Sequence, residues 1–300
     1  MDLCEAQTEI KMLVNRVNPT DVIRLLEWMK NSDELYDVLK DNKSVTLRSI
    51  ADDLRLRLPL DAMLTSESSA HCKMQQRSKP TVHVDSFLYD EEGVESLCEG
   101  GALSRTYCLS CGSTRTAPLD FISHSFSVAE LQFIFQNVLP DLSNRTLMDV
   151  GSRLGAVLYG GFLYSSASLL LGVEINEEFV RLQNEMLLKY GMTDRAQVVH
   201  GDVRAHQALL KRADVLILNN VFEFFMEHKE QVRVWRSIME CFTTPGSLMV
   251  TVPSLQESLS ALQEALPPGW VEEVPLNYES YVSPDADPDA LREIHLYRVM

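Results

Sequence analysis

No apolar run in this sequence approaches the ~18 residues that cross a bilayer as a helix, and the first residues lack a charged-then-apolar signal pattern. The chain therefore reads as an intracellular protein with no membrane partner, nucleus and cytosol left undistinguished. Basic residues are scarce: 27 lysines and arginines stand against 43 aspartates and glutamates, a formal charge of −16. With no locally segregated basic patch, a phosphate backbone is repelled and nucleic acid is disfavoured as a partner. The acidity is marked from Val271 onward, where Glu272, Glu273, Glu279, Asp285, Asp287, Asp289 and Glu293 face only Arg292 and Arg298. Two readings stay open: the charge keeps the protein soluble, or it attracts a basic protein partner. Cysteine has no disulfide-framework rhythm, so Cys4, Cys72, Cys98, Cys108, Cys111 and Cys241 are expected to be mostly free thiols. Repeats and low-complexity tracts are absent too.

What is present suffices for a packed fold, since 45% of the 300 residues are hydrophobic and they are spread along the chain. Three regions are expected. Residues 1–80 form a helical N-terminal region and linker, 81–120 a small CxxC-containing module, and 121–300 the main domain. Val22, Leu25, Leu26 and Met29 follow the spacing of one buried helical stripe, with Asn18-Pro19 as a start signal. Val45–Leu54 is amphipathic and reads as a helical cap, with a faint likeness to half of a helix-turn-helix unit. From Thr65 to Lys79 the chain turns polar and loses its period, as a linker does. Cys108-x-x-Cys111-Gly112 has the spacing of half a zinc site. No second such pair exists, and Cys98, Cys72, His71 or His124 would have to complete it, so zinc and an unmetallated turn both stay open.

After a helix over Val128–Leu139, short apolar runs alternate with helical stretches, the pattern of a parallel sheet with crossover helices. Seven strands are expected at Leu147–Val150, Leu169–Glu174, Ala196–His200, Val215–Asn219, Ser247–Val252, Trp270–Val274 and Ile294–Val299, the last two as an antiparallel hairpin. Helices are expected to start near Leu154 and to fill Glu178–Lys189, Ala205–Lys211, Lys229–Glu240 and Leu255–Ala265. The fold class is therefore α/β, with an N-terminal helical region.

The ends of these strands carry a ligand-binding constellation. Asp149 ends the first strand, and Gly151 and Gly155 occupy the following turn, where missing side chains let a ligand approach the backbone. Glu174 ends the second strand, about the ~20 residues on at which an acid meets ribose hydroxyls in such folds. Gly201-Asp202-Val203 follows the third strand; Asp202 can accept from an adenine amino group while Val203 packs on the ring. A dinucleotide is disfavoured, because Arg153 stands where a middle glycine lets pyrophosphate approach.

In these motifs, and in the closing His295-Leu-Tyr-Arg-Val299 strand, the sequence from about Phe121 to Met300 resembles the class I S-adenosylmethionine-dependent methyltransferases. Within that class Asp149-Val-Gly-Ser-Arg-Leu-Gly155, Gly172-Val-Glu174, Gly201-Asp202 and Asn219-Asn-Val-Phe222 resemble the non-SET histone lysine methyltransferase family. Arg153 departs from that family's Asp-x-Gly-Ser-Gly turn and Val221 interrupts its Asn-Asn-Phe motif; both bear on the substrate. The resemblance implies a seven-stranded Rossmann-like methyltransferase sheet. It also implies S-adenosylmethionine as cofactor, held by Asp149, Gly151, Ser152, Gly155, Glu174, Ile175, Asp202, Val203 and Asn219.

Methyl transfer is a displacement that needs alignment and exclusion of water, with no metal or covalent nucleophile. Asn219 offers a neutral carbonyl that orients an amine without stabilising its charged form, although a strand-end asparagine also suits a plain turn. Glu223 is a candidate base on the same loop, and Phe222, Phe224 and Phe225 are candidate channel walls. The leading expectation is methylation of a protein lysine. The alternatives are a small-molecule O- or N-methyltransferase and a scaffold that keeps the fold without turnover. The small-molecule subgroup with a histidine base after the fourth strand is disfavoured by Glu223 at that place, and amino-base methylation by the lack of an Asn/Asp-Pro-Pro-Tyr/Phe motif.

Overall fold

A computed structural model describes residues 3–31, 33–67, 72, 79–110, 113–281 and 286–300. The chain divides into two compact units, 1–46 and 47–300. The first unit is helical: α1 (Leu3–Arg16), α2 (Pro19–Asn31) and the beginning of α3 (Asp33–Arg55). Pro19 opens α2 as a first-turn proline should, its missing N–H being unneeded there. The helix α3 runs unbroken through Val45–Leu54, so the faint helix-turn-helix likeness gives way to one continuous helix.

The second unit begins at Leu47 rather than near residue 80, because Leu47, Ile50 and Leu54 are fully buried in one apolar cluster with Phe87, Leu131 and Phe179. It opens with strand β1 (Thr81–His83) and helix α4 (Glu91–Glu99), followed by the hairpin β2 (Thr106–Cys108) and β3 (Thr116–Pro118) and then strand β4 (Asp120–Ile122). The strands β1 and β4 pair in parallel, with His83 opposite Ile122. Next comes α5 (Val128–Phe133), capped by a reciprocal Ser127–Glu130 box. It passes into a single π-helical turn, Ile134–Val138, so the expected helix to Leu139 is present in two geometries.

The main sheet comprises β5 (Thr146–Val150), β6 (Leu169–Glu174), β7 (Ala196–His200), β8 (Val215–Asn219), β9 (Leu248–Val252), β10 (Val271–Val274) and β11 (His295–Val299), all within a residue of the expected bounds. Their order is β10-β11-β9-β8-β5-β6-β7; β11 alone runs antiparallel to its neighbours. Successive side chains of a strand face opposite ways. Leu147 and Ile217 therefore join one apolar cluster while Met148, Leu216 and Leu218 join another across the sheet. Helices cover both faces, as continuous apolar strands require: α6 (Ala156–Tyr164), α7 (Glu177–Lys189), α8 (Gln207–Leu210), α9 (His228–Cys241) and α10 (Leu255–Ala261), with α11 (Pro288–Arg292) before the last strand. Two helices are shorter than expected: Val203–His206 is a 3-10 turn leading into α8, and α10 stops before Gln263, whose φ is +58°.

The chain leaves β5 for β6 on one side and returns through β8 on the other. In open α/β sheets such a reversal opens a crevice at the carboxyl ends of the strands. Among the described residues no helix is long and apolar enough to cross a membrane.

Candidate active site

A cleft of about 470 Å³ opens at that reversal, within the range that holds a small-molecule ligand. Gly151, Glu174, Ile175, Asp202, Val203 and Asn219 line it, so six of the residues anticipated for the cofactor meet in one place. Gly151 has φ +72°, and a Cβ there would come within 2.2 Å of a Val221 methyl, so the turn and the loop after β8 close on each other only over a glycine.

Asp149, at the end of β5, and Ser152 and Gly155, in the turn, are not among the residues lining the cleft. The Ser152 hydroxyl lies against β6, 2.7 Å from where a Gly172 Cβ would stand. A Cβ on Gly155 would come within 2.8 Å of the Tyr159 phenol, so this glycine serves packing and its φ of +85°. Asp149 is 5% exposed, and burial, reinforced by the Glu174 charge, pushes its carboxyl up to about 8. The native state therefore favours the protonated acid, and this contribution to stability is lost as pH rises from the ordinary value of 3.8 to about 8. Over that window the wild type should lose up to about 1.4 kcal/mol per pH unit through this group. Asp149→Asn should flatten the slope, and urea midpoints measured across pH check it.

Glu174 is held by two backbone donors: Arg153 N–H at 2.8 Å on Oε2 and Asn176 N–H at 2.7 Å on Oε1. Burial raises its carboxyl above the usual range, opposed by those two bonds. Asp202 is bound by Arg204, whose Nε lies 3.0 Å from both oxygens and whose Nη2 lies 2.6 Å from Oδ2; these bonds hold its carboxyl below the usual range. Asn219 is half-buried, its Oδ1 accepting from Asn220 Nδ2 at 3.3 Å. Asn220 takes the left-handed conformation (φ +47°) that asparagine tolerates.

Glu223 is exposed and is not among the residues lining this cleft; it lines an adjoining one with Asn220, Val221 and Phe222. Phe222 and Phe225 do line the cleft, whereas Phe224 packs beside His124. Cys111 lies outside the described residues; Cys108 ends β2 and is exposed, and among the described residues no cluster of three or more His, Cys, Asp or Glu side chains is placed to hold a metal.

Several lining residues escaped sequence reasoning. Ser66 and Glu67 come from the stretch read as a linker, and His124 was considered only as a spare metal ligand. Arg153, read as an obstacle, is 5% exposed with φ +41°. Its Nε donates to Glu67 Oε1 at 3.0 Å, Nη1 to Asp85 Oδ2 at 3.1 Å and Nη2 to the Ala62 carbonyl at 2.5 Å. The guanidinium also lies 4.9 Å from the Phe179 ring centre. A positive charge in the glycine turn is thus neutralised by two buried carboxylates, and the turn is bolted to residues 62–67 and 85.

No family model and no curated relative matches the chain. Among solved structures it is similar to a methyltransferase from Geobacter sulfurreducens (16% identity, 58% of this chain and 77% of that one, TM-score 0.37). It is also similar to an RNA methyltransferase from Salinibacter ruber in complex with S-adenosyl-L-homocysteine (17%, 57% and 88%, 0.36). A third is the C-terminal domain of precorrin-6Y C5,15-methyltransferase from Rhodobacter capsulatus (17%, 52% and 79%, 0.35). By its own strand order, with β11 inserted antiparallel between β9 and β10, the chain has a seven-stranded Rossmann-like α/β fold.

Proposed function

We propose that this protein is an S-adenosylmethionine-dependent methyltransferase acting on an amine, a protein lysine in the leading reading. The carrying observation is the cleft itself, where Gly151, Glu174, Asp202, Val203 and Asn219 from four successive strand ends meet. The residues fit the cofactor: Glu174 supplies an acceptor for ribose hydroxyls, Val203 an apolar surface for a base, and the bare Gly151 backbone a close approach. When bound, the cofactor supplies an electrophilic methyl group on a sulfonium. The chain's own part is then to align the acceptor and exclude water, through the apolar wall of Val221, Phe222 and Phe225 and the neutral amide of Asn219. The surplus of 43 acidic over 27 basic residues supports a basic protein acceptor.

The test is labelled methyl transfer from the cofactor into a cell lysate, with protein separated from small-molecule products. Label in lysine of protein supports the reading; label in small molecules only replaces the acceptor class. Absence of any calorimetric binding of S-adenosylmethionine removes the enzyme and leaves a scaffold. Asn219→Ala should lower turnover by about 10-fold or more while leaving cofactor affinity within a few-fold, because its contact is made mainly in the transition state. Wild-type turnover in that variant refutes the role of Asn219.

A further inference from the structure

We infer that the cleft tells the methyl donor from its spent product by charge, and that Glu177 sets much of the difference. This rests on reading the cleft as the S-adenosylmethionine site. Donor and product share the adenosine, the ammonium and the carboxylate, so whatever holds those parts cancels when their affinities are compared. Methyl transfer breaks the C–S bond with its electron pair left on sulfur, and the sulfonium becomes a neutral thioether. One positive charge and one methyl group are all that distinguish the two.

Besides His124, five ionisable side chains line the cleft: Glu67, Glu174, Glu177 and Asp202 are acidic, and Arg153 alone is basic. The guanidinium brings no net positive charge, because Glu67 and Asp85 both engage it, at 3.0 and 3.1 Å. Asp202 is paired with Arg204, which also serves Glu230. Glu174 accepts from two backbone N–H groups, which are neutral. Glu177 is exposed at the first position of α7, and among the described residues it has no ion pair or hydrogen bond. Its companion in that turn, Glu178, is not among the lining residues and accepts from the Ser66 hydroxyl at 3.3 Å. Either glutamate suits the positive end of the helix dipole. Only Glu177 also faces the ligand space, as an unopposed negative charge.

A cavity of about 470 Å³ is roughly 8 Å across, so a charge anywhere inside it lies within about one Debye length of every lining carboxylate. No particular pose of the ligand is required. Opposite unit charges about 8 Å apart beside water attract each other enough to change an affinity about two- to four-fold. Glu174 and Glu177, neither of them matched by a side-chain cation of its own, then favour the donor about 10-fold together. The spent product leaves more readily than the donor does, and turnover is not held back by it.

The experiment is isothermal titration of the purified protein with S-adenosylmethionine and with S-adenosylhomocysteine, at about 10 mM and about 1 M salt. The donor should bind about 10-fold tighter at low salt, and the two affinities should converge to within about three-fold at high salt, where the Debye length falls to about 3 Å. Glu177→Gln should cut the low-salt preference about three-fold while S-adenosylhomocysteine affinity stays within about two-fold. Glu92→Gln removes the same charge from the first turn of α4, outside the cleft lining, and should change the preference far less. Equal affinities at low salt, or tighter binding of the product, overturn the inference and leave the cofactor reading intact. A preference that persists undiminished at high salt and in Glu177→Gln belongs to the methyl group and overturns it too, as does an equal response to Glu177→Gln and Glu92→Gln. Failure of both ligands to bind removes the cofactor reading first, and this one with it.

Discussion

Arg153→Gly should destabilise the larger unit by about 3–5 kcal/mol, although it restores the residue that the turn's geometry favours. The φ of +41° is a conformation glycine adopts freely, so the backbone gains up to about 1 kcal/mol. Against this, Glu67 and Asp85 are each under 10% exposed and lose the cation that both of them face. An uncompensated buried charge costs more than a relaxed turn returns. Urea midpoints should show the loss, and adding Glu67→Gln with Asp85→Asn should recover most of it. A single Arg153→Gly variant as stable as the wild type would show that the two carboxylates reach other partners or water.

Glu174→Ala should weaken S-adenosylhomocysteine binding by about 10- to 150-fold, the range expected for removing hydrogen bonds to a charged group. Glu174→Gln should weaken it less, since the amide keeps one acceptor for a ribose hydroxyl. Both variants disturb the turn, because the Arg153 and Asn176 N–H groups now rest on this carboxylate. The Gln–Ala comparison therefore isolates the ligand contact better than either variant alone. Isothermal titration decides it, and equal affinities for all three proteins would take Glu174 out of the binding site.

The sheet was legible because its signals are local. Val215-Leu-Ile-Leu218 is continuous in apolar residues since both faces are covered, and Glu174 was located by its distance beyond Gly151. What stayed hidden depends on pairing across long separations. Arg153 finds Glu67 across 86 residues, at the start of a polar stretch that carries no period, so Ser66 and Glu67 of the expected linker line the cleft, while most of the rest lies outside the described residues. His83 ends one three-residue strand and His124 follows another by two residues, and both strands are too short to show alternation. The expected site residues that do not line the cleft have a shared cause as well. Asp149, Ser152 and Gly155 belong to the turn motif, but a motif does not say which of its side chains face the ligand and which face the helix behind it. Glu223 is a candidate base from its closeness to Asn219, but among the residues that follow Asn220 it is Val221, Phe222, Phe225 and Met226 that line the cleft, while Glu223 is exposed.

The insertion of β11 between β9 and β10 has a consequence for the order in which the protein can be completed during synthesis. Strand β10 pairs with β11 and no other strand of the sheet. Val274 is made before His295, and at about 5–20 residues per second the interval between them lasts roughly one to four seconds. For that time Leu248-Met-Val-Thr-Val252 presents an apolar strand edge with its partner not yet made, and such an edge invites pairing with another nascent chain. The strand that seals the sheet is also the last of its strands to emerge, so this unit can close only after the ribosome has finished all the others.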